Sequence, residues 1–274
     1  MAVTRRAALK LLAVSAAGAA TGAGVHGYAY ERHRLELTRV SLPVSGLARS
    51  LNGLRVGFVT DVHHGPFFLQ QDVARAVARL MAERPDLIAL GGDYVNWRDS
   101  RYVGPCAEVL ASLQAPHGVF AVLGNHDDER ATCAALKRHR IAVLRDERAS
   151  LQVRGETLEI AGLRYWTRRV KDIIAIMGEA TAPLLLLAHD PRRLIEAAKL
   201  GVPAVLSGHT HGGQVVLPVV GAIAARKFPV VAGVGRLENT SIFVSRGVGT
   251  IGIPYRLSCP PEVAIVTLRR CGEL

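Results

Sequence analysis

Eight side chains able to hold a cation or move a proton stand just after short apolar runs. They are Asp61, His63, Asp93, Asn125, His126, His189, His209 and His211. The runs are "LRVGFVTD", "DLIALGGD", "GVFAVLGNHD", "PLLLLAHD" and "PAVLSGHTH". Any one of these residues has an ordinary explanation, because an Asp after a strand caps a turn and a lone His hydrogen-bonds locally. Five strand ends delivering carboxylate, imidazole and amide together have the donors of a metal site. Mixed oxygen and nitrogen donors without thiolate suit Zn, Mn, Fe or Ni better than calcium. Seven ligands exceed what one tetrahedral ion takes. They suit two divalent ions sharing a carboxylate, about 3.5–4 Å apart, as in two-metal phosphoester chemistry. The stretch "SGHTHGGQ" sets His209 and His211 two residues apart between glycines, where the main chain can approach ions and phosphate closely.

The elements that must present these residues can be read from the pattern. Runs of four to six apolar residues bounded by Gly, Pro or polar residues read as strands covered on both faces. Between the first two, "LQQDVARAVARLMAERP" places Val73, Val77, Leu80 and Met81 at helical spacing, and Pro85 stops the helix. Strand, helix, strand is a βαβ unit. "TCAALKRHR" and "DPRRLIEAAKLG" read as further helices, the second capped by Asp190. "SLQVRGETLEIAGL" reads as a hairpin turning at Gly155-Glu156, and the tail from "SIFVSRG" adds at least two strands. The expectation is an α/β protein with polar clusters at the carboxyl ends of its strands, the edge where open α/β sheets bind ligands.

The order D-x-H, G-D, G-N-H-D, H, G-H-T-H resembles the calcineurin-like metallophosphoesterase superfamily, over residues from about 54 to 266. "SGHTHGGQVVLP" and "VSRGVGTIGIPYRLSCPPEV" are similar to its bacterial YkuE/YaeI-type exported phosphodiesterases. The resemblance implies a four-layer α-β-β-α sandwich of two mixed sheets flanked by helices. It implies that Asp61, His63 and His211 hold one metal, that Asn125, His189 and His209 hold the other, and that Asp93 bridges them. His126 would donate to a phosphoryl oxygen or protonate the leaving alkoxide, with Asp127 orienting it. Attack would come from a metal-bridging hydroxide. The implied substrates are phosphodiesters or lipid-linked pyrophosphates, of the UDP-2,3-diacylglucosamine type used in lipid A synthesis, or phospholipids. The alternatives are a phosphomonoesterase on the same site and a non-catalytic metal- or phosphate-binding envelope protein. No G-x-S-x-G elbow or P-loop is present.

Where relatives carry an acidic residue, "GDYVNWRD" has Asn96, which leaves hydrogen bonding behind the ligands open. "GLRYWTRRVKD" is basic and aromatic. It reads either as a substrate loop, with Arg164, Trp166, Arg168 and Arg169 facing anionic groups, or as a solvated arginine-rich segment. Phe67 and Phe68 either pack under the site or touch an acyl chain.

Composition narrows the class. Hydrophobic content of 49% in 274 residues suits a globular chain with a full core. The net charge of +11 fits either a solvated arginine-rich surface or an anionic partner. No basic-aromatic stripe is present and no nucleic acid is expected. The rival that rests on charge alone, a basic binding protein, would lose affinity steeply with salt and ignore chelation. Cys106, Cys133, Cys259 and Cys271 form no C-x-x-C and read as free thiols, although Cys259 is near enough to Cys271 in sequence to pair. Arg5-Arg6 before the apolar run Leu9 to Ala20 resembles a Tat export signal, with "AGA" at Ala17 to Ala19 as a cleavage site. Residues 1–30 are thus expected to be a signal or anchor, and 35–270 the catalytic domain. The Tat translocase would be a partner in export to the envelope, with membrane-surface association possible afterwards.

Overall fold

The computed structural model of the chain describes residues 4–178 and 184–272. Two six-stranded sheets form the centre. The first runs β1 (Glu36–Val44), β12 (Glu262–Arg270), β2 (Arg55–Val59), β3 (Leu87–Leu90), β4 (Val119–Ala121) and β5 (Ala142–Val143). Its strands are parallel except where β12 meets β2. The second runs β10 (Gly233–Leu237), β11 (Thr240–Val244), β9 (Ala204–Ser207), β8 (Leu184–Ala188), β7 (Glu156–Leu163) and β6 (Glu147–Val153). Here the antiparallel pairs are the outer ones, β10 with β11 and β6 with β7.

The continuous apolar runs follow from a strand's two-residue period. In β3, Leu87 and Ala89 enter the layer between the sheets with Phe58, Phe120, Leu185 and Leu206. Ile88 and Leu90 face the outer layer with Val77 and Leu80. β8 repeats this, with Leu185 and Leu187 inward and Leu186 and Ala188 outward. Each such aliphatic side chain contributes about 1.5–3 kcal/mol of burial. Helices α2 (Gln70–Met81), α3 (Ser100–Leu110) and α4 (Glu129–Arg138) cover the first sheet; α5 (Val170–Met177) and α6 (Leu194–Lys199) cover the second. The result is the four-layer α-β-β-α sandwich expected.

Local signals hold with small shifts. α2 buries Val73, Ala76, Val77 and Leu80 and ends at Met81, before Pro85. Asp190 accepts from the Arg192 N–H, and a 3-10 turn over Pro191–Arg193 precedes α6. The β6–β7 turn is Arg154-Gly155, one residue earlier than expected, and both residues have positive φ (53° and 83°). Helix α3 carries Pro105 inside it and was not anticipated, since a proline there removes a hydrogen bond. All four cysteines are free, and Cys271 is exposed.

At the N-terminus α1 (Arg5–Val25) buries none of its residues. With the turns that follow, the helical run Arg5–His33 is long and apolar enough to cross a membrane, a property it shares with signal sequences. Its far end does not stand clear of the domain. Tyr255 Oη donates to Ala23 O, Arg256 N–H to Gly27 O, and Cys259 N–H to the buried Glu31 carboxylate at 2.6 Å. A Cβ on Gly27 would come within 2.4 Å of Arg256 O. The segment expected to be a signal or anchor is therefore clasped to the domain from Ala23 onward.

Candidate metal centre

The strand ends converge at one edge. β2 leads to Asp61 and His63, β3 to Asp93, β4 to Asn125 and His126, β8 to His189, and β9 to His209 and His211. Backbone hydrogen bonds lace the turns together: Asp61 N–H to Gly92 O, His63 N–H to Asp93 O, and Gly208 N–H to His189 O. Five of the expected ligands, Asp61, His63, Asp93, His209 and His211, adopt φ between 48° and 71°. Left-handed backbone is uncommon outside glycine, though Asp and His tolerate it better than most, and such residues cluster at functional sites. Glycines make room for them. A Cβ on Gly124 would lie 2.1 Å from Asp93 Oδ1, and one on Gly208 2.2 Å from Asp61 Oδ2.

Two trios result, Asp61–His63–His211 and Asp93–His189–His209, each with its ligand atoms within 4.8 Å of one another. In the first, His63 Nε2 and His211 Nε2 are 3.0 Å apart and His211 Nε2 is 3.3 Å from Asp61 Oδ1. In the second, His189 Nε2 is 3.1 Å from Asp93 Oδ2 and 3.2 Å from His209 Nδ1. His189 Nδ1 faces Gly91 O at 2.7 Å, which makes it the donor and leaves Nε2 as the ligand atom. Asp93 Oδ2 also lies 3.6 Å from His63 Nε2, between the trios.

The donor set fits cations. Asn125 Oδ1 is buried without a hydrogen-bond partner, between Gly124, which packs on Asp93, and His126, whose N–H donates to Asp93 Oδ1. Burial pulls His63 down to about 4 and His211 well below its ordinary value, so both offer neutral imidazoles. Burial also lowers His209, with His189 adding to the effect. For His189 burial acts downward, but the Asp93 and Asp61 carboxylates outweigh it and raise the ring. Asp93 is raised by burial and lowered more strongly by His189, His63 and His126, so it stays ionised.

His126 lies at the rim, its ring 5.2 Å from that of His63 and edge-on to Trp97 at 4.7 Å. Asp127 does not orient it. One Asp127 oxygen accepts the Asp93 and Gly124 N–H groups and the other the Tyr94 N–H, each at 2.8 Å. Its job in this structure is to hold the backbone of Asp93. Asn96 Nδ2 donates to His63 O behind the first trio, at the position where the acidic residue is missing.

The basic loop divides. Arg164 pairs with Asp146 (2.7 Å) and Glu129 (3.3 Å), and Arg169 with Asp172 (2.7 Å), so both are engaged by carboxylates of the chain itself. Arg168 lies over the exposed Trp166 ring. Tyr165, not singled out in the sequence, is the residue that reaches the centre: its ring is 5.4 Å from that of His209 and 5.8 Å from that of His189. Phe228 joins it, 5.3 Å from His209. Phe68 is buried, as the packing reading expects, and Phe67 is exposed. Arg256, also missed, is fully buried and donates to the carbonyls of Arg246, Gly247, Gly249 and Cys259. That gathers the loop whose Gly247 packs against Asp61.

The calcineurin-like phosphoesterase family model matches residues 54–213, which include every member of both trios. The chain is 30% identical to the metallophosphoesterase YkuE of Bacillus subtilis, over 97% of this chain and 98% of that one. It is 33% identical to the phosphodiesterase YaeI of Escherichia coli, over 78% and 82%. A transmembrane protein with a metallophosphoesterase domain from Danio rerio is 30% identical over 90% of this chain and 60% of its own. Among solved structures, the NAD nucleotidase of Haemophilus influenzae shares the fold, at a TM-score of 0.52 and 15% identity, covering 71% of this chain and 45% of that one. The clustered donors and the shared sequence lead to one conclusion: this chain belongs to the calcineurin-like phosphoesterase family and is a metal-dependent phosphoester hydrolase.

Proposed function

We propose that the enzyme hydrolyses phosphodiesters or pyrophosphates at a two-ion centre. Asp61, His63 and His211 would hold one divalent ion, Asn125, His189 and His209 the other, and Asp93 both. The observation that supports this is the placement of Asp93 Oδ2, 3.1 Å from His189 Nε2 and 3.6 Å from His63 Nε2, within reach of a donor from each trio. Bound divalent ions supply Lewis acidity, which makes water a competent nucleophile near neutral pH and offsets phosphoryl charge. The chain's residues do the rest. His126, at the rim and half-buried, donates to a phosphoryl oxygen or protonates the leaving alkoxide. Asp127 positions Asp93 through its backbone. Tyr165 and Phe228 wall the side on which His209 stands.

The favoured substrate has an apolar part, either an acylated pyrophosphate or a phospholipid. A cavity of about 540 Å³ adjoins His209 and His211 and is lined by Leu217, Ile223, Phe228 and Ile253. That volume suits an organic substituent rather than bare phosphate. We read α1 as the element that brings this site to a membrane, either by Tat export or as an anchor.

The deciding assay compares metal-stripped full chain with the same protein after Mn or Zn is returned, on a synthetic aryl phosphodiester and the matching monoester. Diester turnover abolished by stripping and restored by metal is expected. Faster monoester turnover would overturn the diester assignment, and inactivity with every first-row metal would overturn catalysis.

A further inference from the structure

A basic cleft opens where the N-terminal helix meets the domain. Its volume is about 350 Å³, and Arg32, His33, Arg34, Asp72, Arg75 and Arg79 line it. Four guanidiniums and one carboxylate thus line it. Asp72 pairs with Arg75 and uses its other oxygen to hold the Leu69 N–H at the start of α2. Arg34 reaches Glu36 at 3.1 Å. Arg32 donates only to main-chain carbonyls, those of Tyr28 and Phe67, and lies over the Tyr28 ring at 4.4 Å. Arg79 makes no salt bridge among the described residues, and its charge helps to hold the Glu83 carboxyl below its ordinary value, after Arg39 and Arg55. His33 is held below its ordinary value by burial first and the Arg32 charge second. A concave site with this excess of positive charge attracts anions.

Its place in the molecule identifies the anion. The stretch from Leu11 to Tyr30 contains no Asp, Glu, Lys or Arg. At 1.5 Å per residue it is about 30 Å long; the part ahead of the clasp, Leu11 to Gly22, about 18 Å, is free to enter the hydrocarbon, and the clasped part from Ala23 sits at the interface. It ends in Tyr28 and Tyr30, 50% and 58% exposed, and rings of this kind sit at bilayer interfaces. Arg32 and Arg34 follow within the next turn. The clasp from Ala23 to Glu31 fixes the helix end against the Tyr255–Cys259 loop, so the cleft keeps its position relative to the helix.

We propose that this cleft binds the phosphate of an anionic phospholipid in the leaflet at which α1 ends. The site is separate from the metal centre and rests on α1 lying in the bilayer, not on the hydrolytic reading. The test uses the full chain in neutral detergent, with native mass spectrometry counting bound short-chain phosphatidylglycerol, phosphatidylcholine or inorganic phosphate. Saturable retention of phosphatidylglycerol over phosphatidylcholine is expected. Each basic residue near a lipid surface contributes about a factor of five, so R75Q/R79Q should weaken retention at least about tenfold. R138Q/R236Q, which removes the same charge elsewhere, should leave retention unchanged, and thermal melts report that both variants are folded. Equal retention of the two lipids overturns the proposal. So does inorganic phosphate binding as tightly as the lipid, or an equal loss in the control variant. An inactive chain that still selects phosphatidylglycerol would remove the hydrolase reading and leave the cleft standing.

Discussion

The two ligand trios use the same residue types but are housed differently. Asp61 and His63 are fully buried and His211 is 3% exposed. The loop gathered by Arg256 closes over them: Gly247 packs on Asp61, and Gly249 N–H donates to Asp61 O. In the other trio, His209 is only part-buried and meets the rings of Tyr165 and Phe228, at the apolar cavity that His211 also lines. One side of the centre is therefore built into the sandwich, while the other is a wall with an opening. On the proposed function, substrate would approach past His209, with His126 at the rim beside His63, and the more enclosed first trio would be the fixed base. Asp93, whose backbone Asp127 ties down, joins the two.

The largest effect should come from removing what the sides share. Asp93→Ala should lower kcat/KM on a phosphodiester by at least about 10³-fold and reduce metal content at both trios. Retained rate with full metal content would break the shared-ligand reading. His126→Ala should cost about 10²–10⁴-fold in kcat and leave metal content unchanged, because the ring stands at the rim and not in either trio. Asp127→Asn separates two roles. Acting through the Asp93 backbone, it should weaken metal affinity about 10–100-fold and leave the pH profile of kcat in place. A shifted profile with intact metal binding would restore the acid–base partnership with His126.

Smaller effects sharpen the open side. Tyr165→Leu should raise KM by about 2–10-fold with kcat little changed, since aromatic contacts are worth about 0.5–1.5 kcal/mol. Arg164→Gln should leave KM within about twofold. Its two ion pairs are part-exposed, and pairs of that kind contribute about 0–1 kcal/mol to stability. The reverse ranking would return the substrate role to the arginines.

Much of the centre was legible because each ligand follows an uninterrupted apolar strand, and a strand covered on both faces leaves its polar chemistry at its end. That places Asp61, Asp93, His189 and His209 without a structure. What the sequence hid depends on contacts between distant segments. Asp127 follows His126 directly, which suggested a pair, but its carboxylate turns inward to three backbone N–H groups. In "LRYWTRRV" the charged residues drew attention, although Tyr165 reaches the centre from the turn closed by Thr167 N–H to Arg164 O, while the partners of Arg164, Asp146 and Glu129, lie in other segments. Arg256 looked like one arginine among many, and only its fully buried contacts with four carbonyl groups reveal its function. Helix α3 was hidden by Pro105, and the clasp at Gly27 by its resemblance to the end of a leader.

The central claim is that His209 and His211, two residues apart on one turn, serve different ions. Metal content per chain, measured by mass spectrometry of the dialysed protein and its single variants, tests it most directly. The wild type should hold two ions per chain, and His209→Ala and His211→Ala one each, with the retained ion coordinated differently in the two variants by X-ray absorption. A wild type that saturates at one ion, or two variants that keep the same ion in the same coordination, would contradict it.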